Sequence, residues 1–318
     1  MGFAPAHVDD GARRRFQDVA RQPTVSSGAP VAEVPGTTLA RARKAPRRWA
    51  AARRGHRLRR LVLAPAYGAY TARLRRDVSH SPLPHHVAVI LDGNRRWATA
   101  AGLHEPGAGH RHGADKLDDL IAWCSELGIV QLTVWALSVE NAGRESHELD
   151  PLLAVIAAKL DALTEHAGRM RRPLRIGVFG RYRDLPEPVQ AAAERAEAAT
   201  SANPGLRLNI ALGYSGRQEL VDACRMLVAG LAARGVAADE IPAHITGEAI
   251  AANLYTAGAP DPDLIIRTSG EIRLSGFLPW QSVYSEFYFT DVYWPAFREL
   301  DFLRALRSFQ QRERRFGR

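Results

Sequence analysis

Cysteine and long apolar runs are scarce in this chain, and each scarcity closes a line of explanation. Its 318 residues hold only two cysteines, Cys124 and Cys224, and these have no CxxC spacing. Neither a disulfide framework nor a cysteine-based zinc site can organise the fold. Each cysteine falls in a helix-like apolar pattern, so both are expected to be small buried hydrophobes in a reducing cytoplasm. No apolar run approaches the length of a membrane span. The opening MGFAPAHVDD is acidic and lacks the basic-then-apolar order of a secretory signal. Ala6 stands where N-myristoylation needs Ser or Thr. Walker, GxSxG and HExxH motifs are absent as well.

What is present is unevenly charged. The net charge is +9, yet residues 1–80 carry 17 Lys/Arg against 5 Asp/Glu, and residues 81–318 carry 26 against 29. The basicity belongs to the N-terminal segment. Residues 1–45 are rich in Ala, Pro, Gly, Ser and Arg without sustained periodicity and read as a disordered extension. Residues 46–80 turn to Ala, Leu and Arg, with Trp49, Leu58, Leu61 and Leu63 among the arginines, and predict a basic amphipathic helical arm interrupted near Pro65. Two readings of that arm stand side by side. It packs on the folded body, or its cations and apolar residues make peripheral contact with an anionic membrane on the cytoplasmic face. It lacks a nucleic-acid reading motif, so no nucleic-acid partner is expected.

From residue 81 onward strands and helices alternate. Apolar runs at 86–91, 129–137, 174–180, 206–213 and 263–267 predict buried parallel strands. Helical stretches lie near 110–127, 148–167, 184–199 and 216–234, with Asp184 and Ser215 as N-cap types for the last two. The fold class is therefore α/β, one domain over 81–318 with a mainly parallel central sheet flanked by helices. Ligands of such sheets collect beyond the carboxyl ends of the strands.

Three segments stand out there. In VAVILDGNRRWA, a strand breaks into Asp92-Gly93-Asn94 and then presents Arg95, Arg96 and Trp97. Gly93 lets backbone amides approach an oxyanion, and the arginines add charge-assisted donors. Asp92 among them either pairs with its neighbours in a plain turn or shares Mg²⁺ with phosphates. In VWALSVENAGRESHEL, a strand ends in Ser138, Val139, Glu140 and Asn141, followed by Arg144. Helix capping explains Ser146 and Glu148 but leaves Asn141 and Arg144 unexplained. In IIRTSGEIRLSGFLPWQSVYSEFYF, Arg267, Thr268, Ser269, Gly270, Arg273 and Ser275 form a dense set of anion donors around Leu274. Glu286 follows as a second carboxylate for a metal, and Phe277, Trp280 and Tyr284 read as core.

Together these segments, in this order and spacing, closely resemble the cis-prenyltransferases, the family of undecaprenyl diphosphate synthase and the short-chain Z-isoprenyl diphosphate synthases. The resemblance spans about residues 83–318. It implies Mg²⁺-assisted condensation of isopentenyl diphosphate with an allylic diphosphate (dimethylallyl, geranyl or farnesyl) to create a Z double bond. Asp92 matches the residue that holds Mg²⁺ on the allylic diphosphate. Gly93 to Arg96 match its cradle, and Trp97 is expected to border the isoprenoid tail. Asn141 matches the residue usually given proton removal, although a neutral amide is a poor base. Ser138, Val139, Glu140 and Arg144 match a substrate-contacting run. Arg267, Arg273, Leu274 and Ser275 match the second diphosphate site, and Glu286 a Mg²⁺ ligand. Arg315-Phe316-Gly317 resembles an ending that reaches into a partner's site, which implies a homodimer.

The departures are specific. Arg95 stands where most members have Gly, and Ala142 where the second motif has Trp. The arginine expected shortly before His110 is replaced by the Glu105-Pro106 stretch, leaving His110 and Arg111 to take up its diphosphate contact. The motif wording is closest to actinobacterial short-chain members, such as those making (2Z,6E)-farnesyl diphosphate. Ala136 is small where short-chain members carry bulk, which keeps a long-chain synthase for a cell-wall lipid carrier open. Other classes are a non-catalytic membrane-associated subunit and an irregular condensation of two allylic units. The intact Asp92, Arg267, Arg273 and Ser275 speak against both.

Overall fold

The computed structural model describes residues 56–143 and 145–311. The expected extension over 1–45, the first part of the arm, Arg144 and the Arg315-Phe316-Gly317 ending lie outside the described residues.

Elements follow in the order α1 (His56–Ser79), β1 (His86–Ile90), α2 (Asn94–Ala101), α3 (Ala108–Leu127) and β2 (Gln131–Ser138). Next come α4 (Ser146–His166), β3 (Arg175–Phe179), α5 (Glu187–Thr200), β4 (Arg207–Tyr214) and α6 (Gly216–Ala233). Short helices α7 (Ile241–His244) and α8 (Gly247–Ala251) precede β5 (Leu264–Arg267), β6 (Glu286–Phe289) and α9 (Glu299–Gln310). The six strands form one sheet in the order β3-β4-β2-β1-β5-β6. All five pairings are parallel. The α/β expectation holds.

The inner strands β1, β2, β4 and β5 are largely buried on both faces, in keeping with apolar runs that do not alternate with polar residues, while the edge strand β6 is half-buried. Side chains still alternate in direction. Val87 and Val89 join the larger core with Leu132, Val134, Leu208 and Ile210, while Ala88 and Ile90 join a smaller one with Phe179, Tyr214, Ile265 and Phe277. Crossover helices supply the larger core's second wall, among them Leu120, Ile121 and Cys124 of α3 and Leu152, Leu153 and Leu160 of α4.

Several expectations need correction. The helix of the arm runs through Pro65 without interruption. Its last turns are structural: Leu74 and Val78 are buried in the larger core, and Arg75 pairs with both Glu126 and Glu299. α2 and β6 were not anticipated, since α2 is a short arginine-rich helix and β6 hides in a run read only as aromatic core. Helix α5 starts at Glu187 rather than near Asp184, which closes a preceding 3₁₀ turn and accepts a bond from Arg181 Nε at 2.6 Å. Ser215 does hold the N-cap position of α6. Cys124 is buried as expected, but Cys224 is exposed, and of the three aromatics read as core Phe277 is buried, Trp280 is half-buried and Tyr284 is exposed. The buried stripe of α6 runs through Glu219, Ala223, Leu227 and Leu231, a four-residue spacing that turns Cys224 outward.

Candidate active site

The carboxyl ends of β1, β2 and β5 open together at one end of the sheet, and a cavity of about 960 Å³ begins there. That volume is at the upper end of the range for small-molecule sites. Its mouth is polar and its depth apolar. Asp92, Arg96, Arg267, Arg273 and Ser275 line the mouth, while Leu117, Val134, Leu152, Ile156, Leu160 and Ile210 line the interior.

Asp92 follows β1 and is held from several directions. Its backbone N–H donates to Thr268 Oγ1 at 3.0 Å, and Thr268 Oγ1 donates to the Asp92 carbonyl at 2.7 Å. The Gly93 N–H donates to Oδ1 at 2.7 Å, and Arg267 Nη2 donates to Oδ2 at 3.1 Å. Arg96 Nη2 lies 3.6 Å from Oδ1. The turn needs glycine: Gly93 has φ 101°, and a Cβ there would sit 2.7 Å from Tyr293 Cδ1 and 2.9 Å from Ser269 Cβ. Helix α2 then seats directly on α3. A Cβ at Gly113 would lie 2.2 Å from Asn94 Oδ1, and one at Gly109 equally close to the Asn94 carbonyl. Asn94 is fixed by donation from Nδ2 to the Leu91 carbonyl at 2.9 Å, which leaves its buried Oδ1 unpartnered.

Arg267 ends β5 and is only 4% exposed. Its Nη1 donates to the Ser275 hydroxyl at 2.8 Å and to the Arg273 carbonyl, while its Nε is buried without a partner. Glu271 draws two other arginines together, accepting from Arg96 Nη1 at 3.2 Å and from Arg273 Nη1 at 2.6 Å. Arg96 Nη2 also donates to Ser269 Oγ at 2.6 Å. The loop that presents these groups has left-handed backbone at Ser269 (φ 78°), Ser275 (φ 53°) and Leu278 (φ 48°). Non-glycine residues in this region cost on the order of 1–3 kcal/mol each and persist only where the surroundings enforce them. Each of the three is held separately: the Ser269 N–H donates to the Val292 carbonyl at 2.8 Å, Ser275 Oγ accepts from Arg267, and the Leu278 N–H donates at 3.2 Å to Tyr214 Oη, part of a buried network in which Glu219 accepts from Tyr214 Oη at 2.6 Å and from Gln281 Nε2 at 3.1 Å. Burial raises the Glu219 carboxyl above the usual carboxylate range, opposed by those hydrogen bonds.

Of the other residues expected in the site, Gly93, Asn94, Arg95, His110, Ser138 and Asn141 all line the cavity. Arg95 is paired with Glu148 at 2.9 Å, and the Asn141 N–H donates to Ser138 Oγ at 3.2 Å. Five are not brought there. Trp97 is not part of the cavity lining and meets His112 edge-on, with ring centroids 4.8 Å apart. Val139 is buried in the larger core and Glu140 is exposed. Leu274 packs on the smaller core. Glu286 opens β6 opposite Leu264, whereas Asp92 lies past the far end of β1, where Ile90 is level with Arg267. A parallel sheet therefore keeps the two carboxylates at opposite ends within one chain, and Glu286 does not join Asp92 in one metal site. Arg111, a candidate substitute for the missing arginine, turns instead to Glu105 Oε1 at 2.6 Å.

Sequence reasoning missed the apolar wall of the cavity. Leu152, Val155, Ile156, Lys159 and Leu160 of α4 form one stripe of the cavity. Their i, i+3, i+4, i+7, i+8 spacing was visible, but such a stripe ordinarily faces a solid core.

Comparison with known proteins joins this geometry to a family. The family model described as putative undecaprenyl diphosphate synthase, a prenyltransferase, matches residues 90–317. The chain belongs to the cis-prenyltransferases. This cis-prenyltransferase is 50% identical over 254 residues to an isoprenyl transferase of Thermus thermophilus, covering 80% of this chain and 96% of that one. It is 49% identical over 257 residues to the (2Z,6E)-farnesyl diphosphate synthase of Thermobifida fusca, covering 81% and 99%. Among solved structures it resembles lavandulyl diphosphate synthase from Lavandula x intermedia in complex with dimethylallyl diphosphate, with a TM-score of 0.70 and 36% identity over 74% of this chain and 99% of that one. The enzyme is thus a prenyltransferase of isoprenoid biosynthesis with Z-isoprenyl diphosphate synthase activity. Among the described residues, no helix is long and apolar enough to cross a membrane.

Proposed function

We propose that this enzyme joins isopentenyl diphosphate to an allylic diphosphate at the mouth of the 960 Å³ cavity and that its product is a short Z-prenyl diphosphate. The observation that carries the reading is the Asp92–Arg267 pair, a carboxylate and a buried guanidinium set where a polar mouth meets an apolar depth. An allylic diphosphate has this same division between a charged head and an apolar tail.

Among the described residues no three His, Cys, Asp or Glu side chains gather as a metal cage. A single carboxylate suits Mg²⁺, which is commonly held by one or two carboxylates together with substrate phosphates and water. Asp92 would hold it, and the ion would neutralise charge growing on the departing pyrophosphate. The protein's own groups do the rest. Gly93, Arg95 and Arg96 receive the allylic diphosphate, with Arg96 released from Glu271 or sharing it. Arg267, Arg273 and Ser275 receive the isopentenyl diphosphate. The allylic C–O bond breaks, a C–C bond forms to the isopentenyl terminal carbon, and one proton leaves the isopentenyl unit. Asn141 and Ser138 orient the acceptor of that proton, since neither is a base at neutral pH. Apolar walls from α3 and α4 hold the tail and exclude water.

Kinship with the Thermobifida enzyme supports a short product. A second reading, a long-chain synthase, is favoured by Ala136, whose small side chain lines the cavity and leaves room for a growing tail. We further infer a homodimer. β6 is an edge strand, and Val283 and Tyr284, just ahead of it in the chain, are 68% and 70% exposed, an apolar pair suited to a second copy.

Incubation of the purified protein with Mg²⁺, isopentenyl diphosphate and each of dimethylallyl, geranyl and farnesyl diphosphate tests the reading. Z-configured products that vanish in Asp92→Ala support it; no product with any primer overturns it.

A further inference from the structure

One side chain of the tail wall does not match its neighbours. Along α4 the cavity is lined by Leu152, Val155, Ile156 and Leu160, and between them stands Lys159. The other ionisable groups at the cavity are His110 of α3, the arginines and carboxylates of the motif segments, Tyr293, and Glu148, the partner of Arg95. Lys159 lies eleven residues further along α4 than Glu148, a depth of roughly 16 Å at the helical rise. Its side chain is only 14% exposed. Its ammonium donates to Asp118 Oδ1 of α3 at 2.6 Å, and Asp118 itself is 58% exposed. Lys159 therefore lines the cavity while its ammonium bridges α4 to α3 at a partly exposed carboxylate, an arrangement in which the apolar stem packs against apolar surface and the charge stays paired.

We propose that Lys159, latched to Asp118, ends the tail cavity and limits how far the prenyl chain can grow. This rests on the prenyl-transfer reading above and adds the residue that sets product length. A growing tail enters at the mouth and extends between α3 and α4. At the depth of a short prenyl chain it meets the Lys159 stem. Going further requires displacing that stem or passing an ammonium whose partner and water contacts the tail cannot replace, and an unpaired charge beside hydrocarbon is strongly unfavourable. The two bland assignments do not account for the arrangement. A solvated surface lysine would not line a cavity, and a core position would not carry a charge. Ala136 on the sheet side leaves space, so the stop belongs to the helix side.

The experiment uses the full chain with Mg²⁺, labelled isopentenyl diphosphate and geranyl or farnesyl diphosphate, and sizes the dephosphorylated products. The expected result is a short product from the unaltered enzyme and products longer by one or more isoprene units from Lys159→Ala. Asp118→Ala, which frees the latch from an exposed position, should move lengths the same way by less. Unchanged product length in a folded, active Lys159→Ala enzyme overturns the proposal and leaves prenyl transfer standing, as does a polyprenyl product from the unaltered enzyme. If Lys159→Ala does not fold, Asp118→Ala decides, and unchanged length there is the negative result. No product from the unaltered enzyme with either primer overturns prenyl transfer and this proposal together.

Discussion

Arg267 Nη2 donates to Asp92 Oδ2 at 3.1 Å, joining residues 175 positions apart into one charged unit. The same guanidinium reaches Ser275, so a single buried side chain spans the groups assigned to the two diphosphates. Neutralising the carboxylate should separate its charge from its shape. Asp92→Asn is expected to fold and to lose turnover by about 10²–10³-fold, the usual scale for removing one transition-state electrostatic group. Steady-state kcat with geranyl diphosphate checks this, and a rate within a few-fold of the unaltered enzyme would contradict the role of Asp92.

Arg267→Lys keeps the charge but not the fork. A lysine ammonium cannot reach Asp92, Ser275 and the Arg273 carbonyl at once from that position. The KM for isopentenyl diphosphate is expected to rise by tenfold or more, equivalent to about 1.4 kcal/mol or more of lost binding. Titrating each substrate at saturating levels of the other reads it out, and equal effects on both KM values would argue against a specific place in the second diphosphate site.

Gly93→Ala places a Cβ against Tyr293 and Ser269 on a backbone with φ 101°. Gly102 has φ 74° with nothing within 4 Å of an added Cβ. Denaturant unfolding should show Gly93→Ala less stable by about 1–3 kcal/mol. Gly102→Ala carries only the cost of the left-handed backbone, about 1–2 kcal/mol, and should lose less than Gly93→Ala. If the two variants were equally stable, close packing at Gly93 would not be the constraint.

The pH dependence of stability should carry the signature of His86. Burial lowers its imidazole from 6.5 to about 4, with Nδ1 bonded to the Pro260 carbonyl at 2.8 Å and Nε2 to Thr133 Oγ1 at 2.8 Å. The unfolded chain binds the proton more tightly than the folded one, so stability rises with pH across that window and is lost as pH falls through it. The loss is on the order of 3 kcal/mol by the lower end. His86→Gln should flatten the difference, which urea unfolding at pH 4.5 and 6.5 measures directly.

The strands were legible because a parallel sheet buried on both faces writes itself as plain apolar runs, and β1 to β5 fall within two residues of where those runs lie. The mouth of the site was legible because arginines, a carboxylate and a glycine at a strand end have little other use. What escaped depends on direction, which spacing alone does not give. Trp97 shares a segment with Asp92 yet packs on His112 outside the cavity lining, and Glu286 shares one with Arg267 yet sits at the other end of the sheet. The α4 stripe had a core-like period, and only the gap between α3 and α4 distinguishes a lined cavity from a filled core. Lys159 was the sole written trace of that difference.

The seam between α1 and α9 bears on how the molecule opens. Gln310 Nε2 donates to the Val78 carbonyl at 2.8 Å, Arg75 holds Glu299, and Leu74 and Val78 share a core with Phe302, Leu306 and Phe309. Segments bound this way unfold as one cooperative unit, so amides in the last turns of α1 and in α9 should exchange with deuterium at a common rate. A protease that clips inside α1 beyond Tyr70 should then release α9 from protection as well, although more than two hundred residues separate the cut from the helix it exposes.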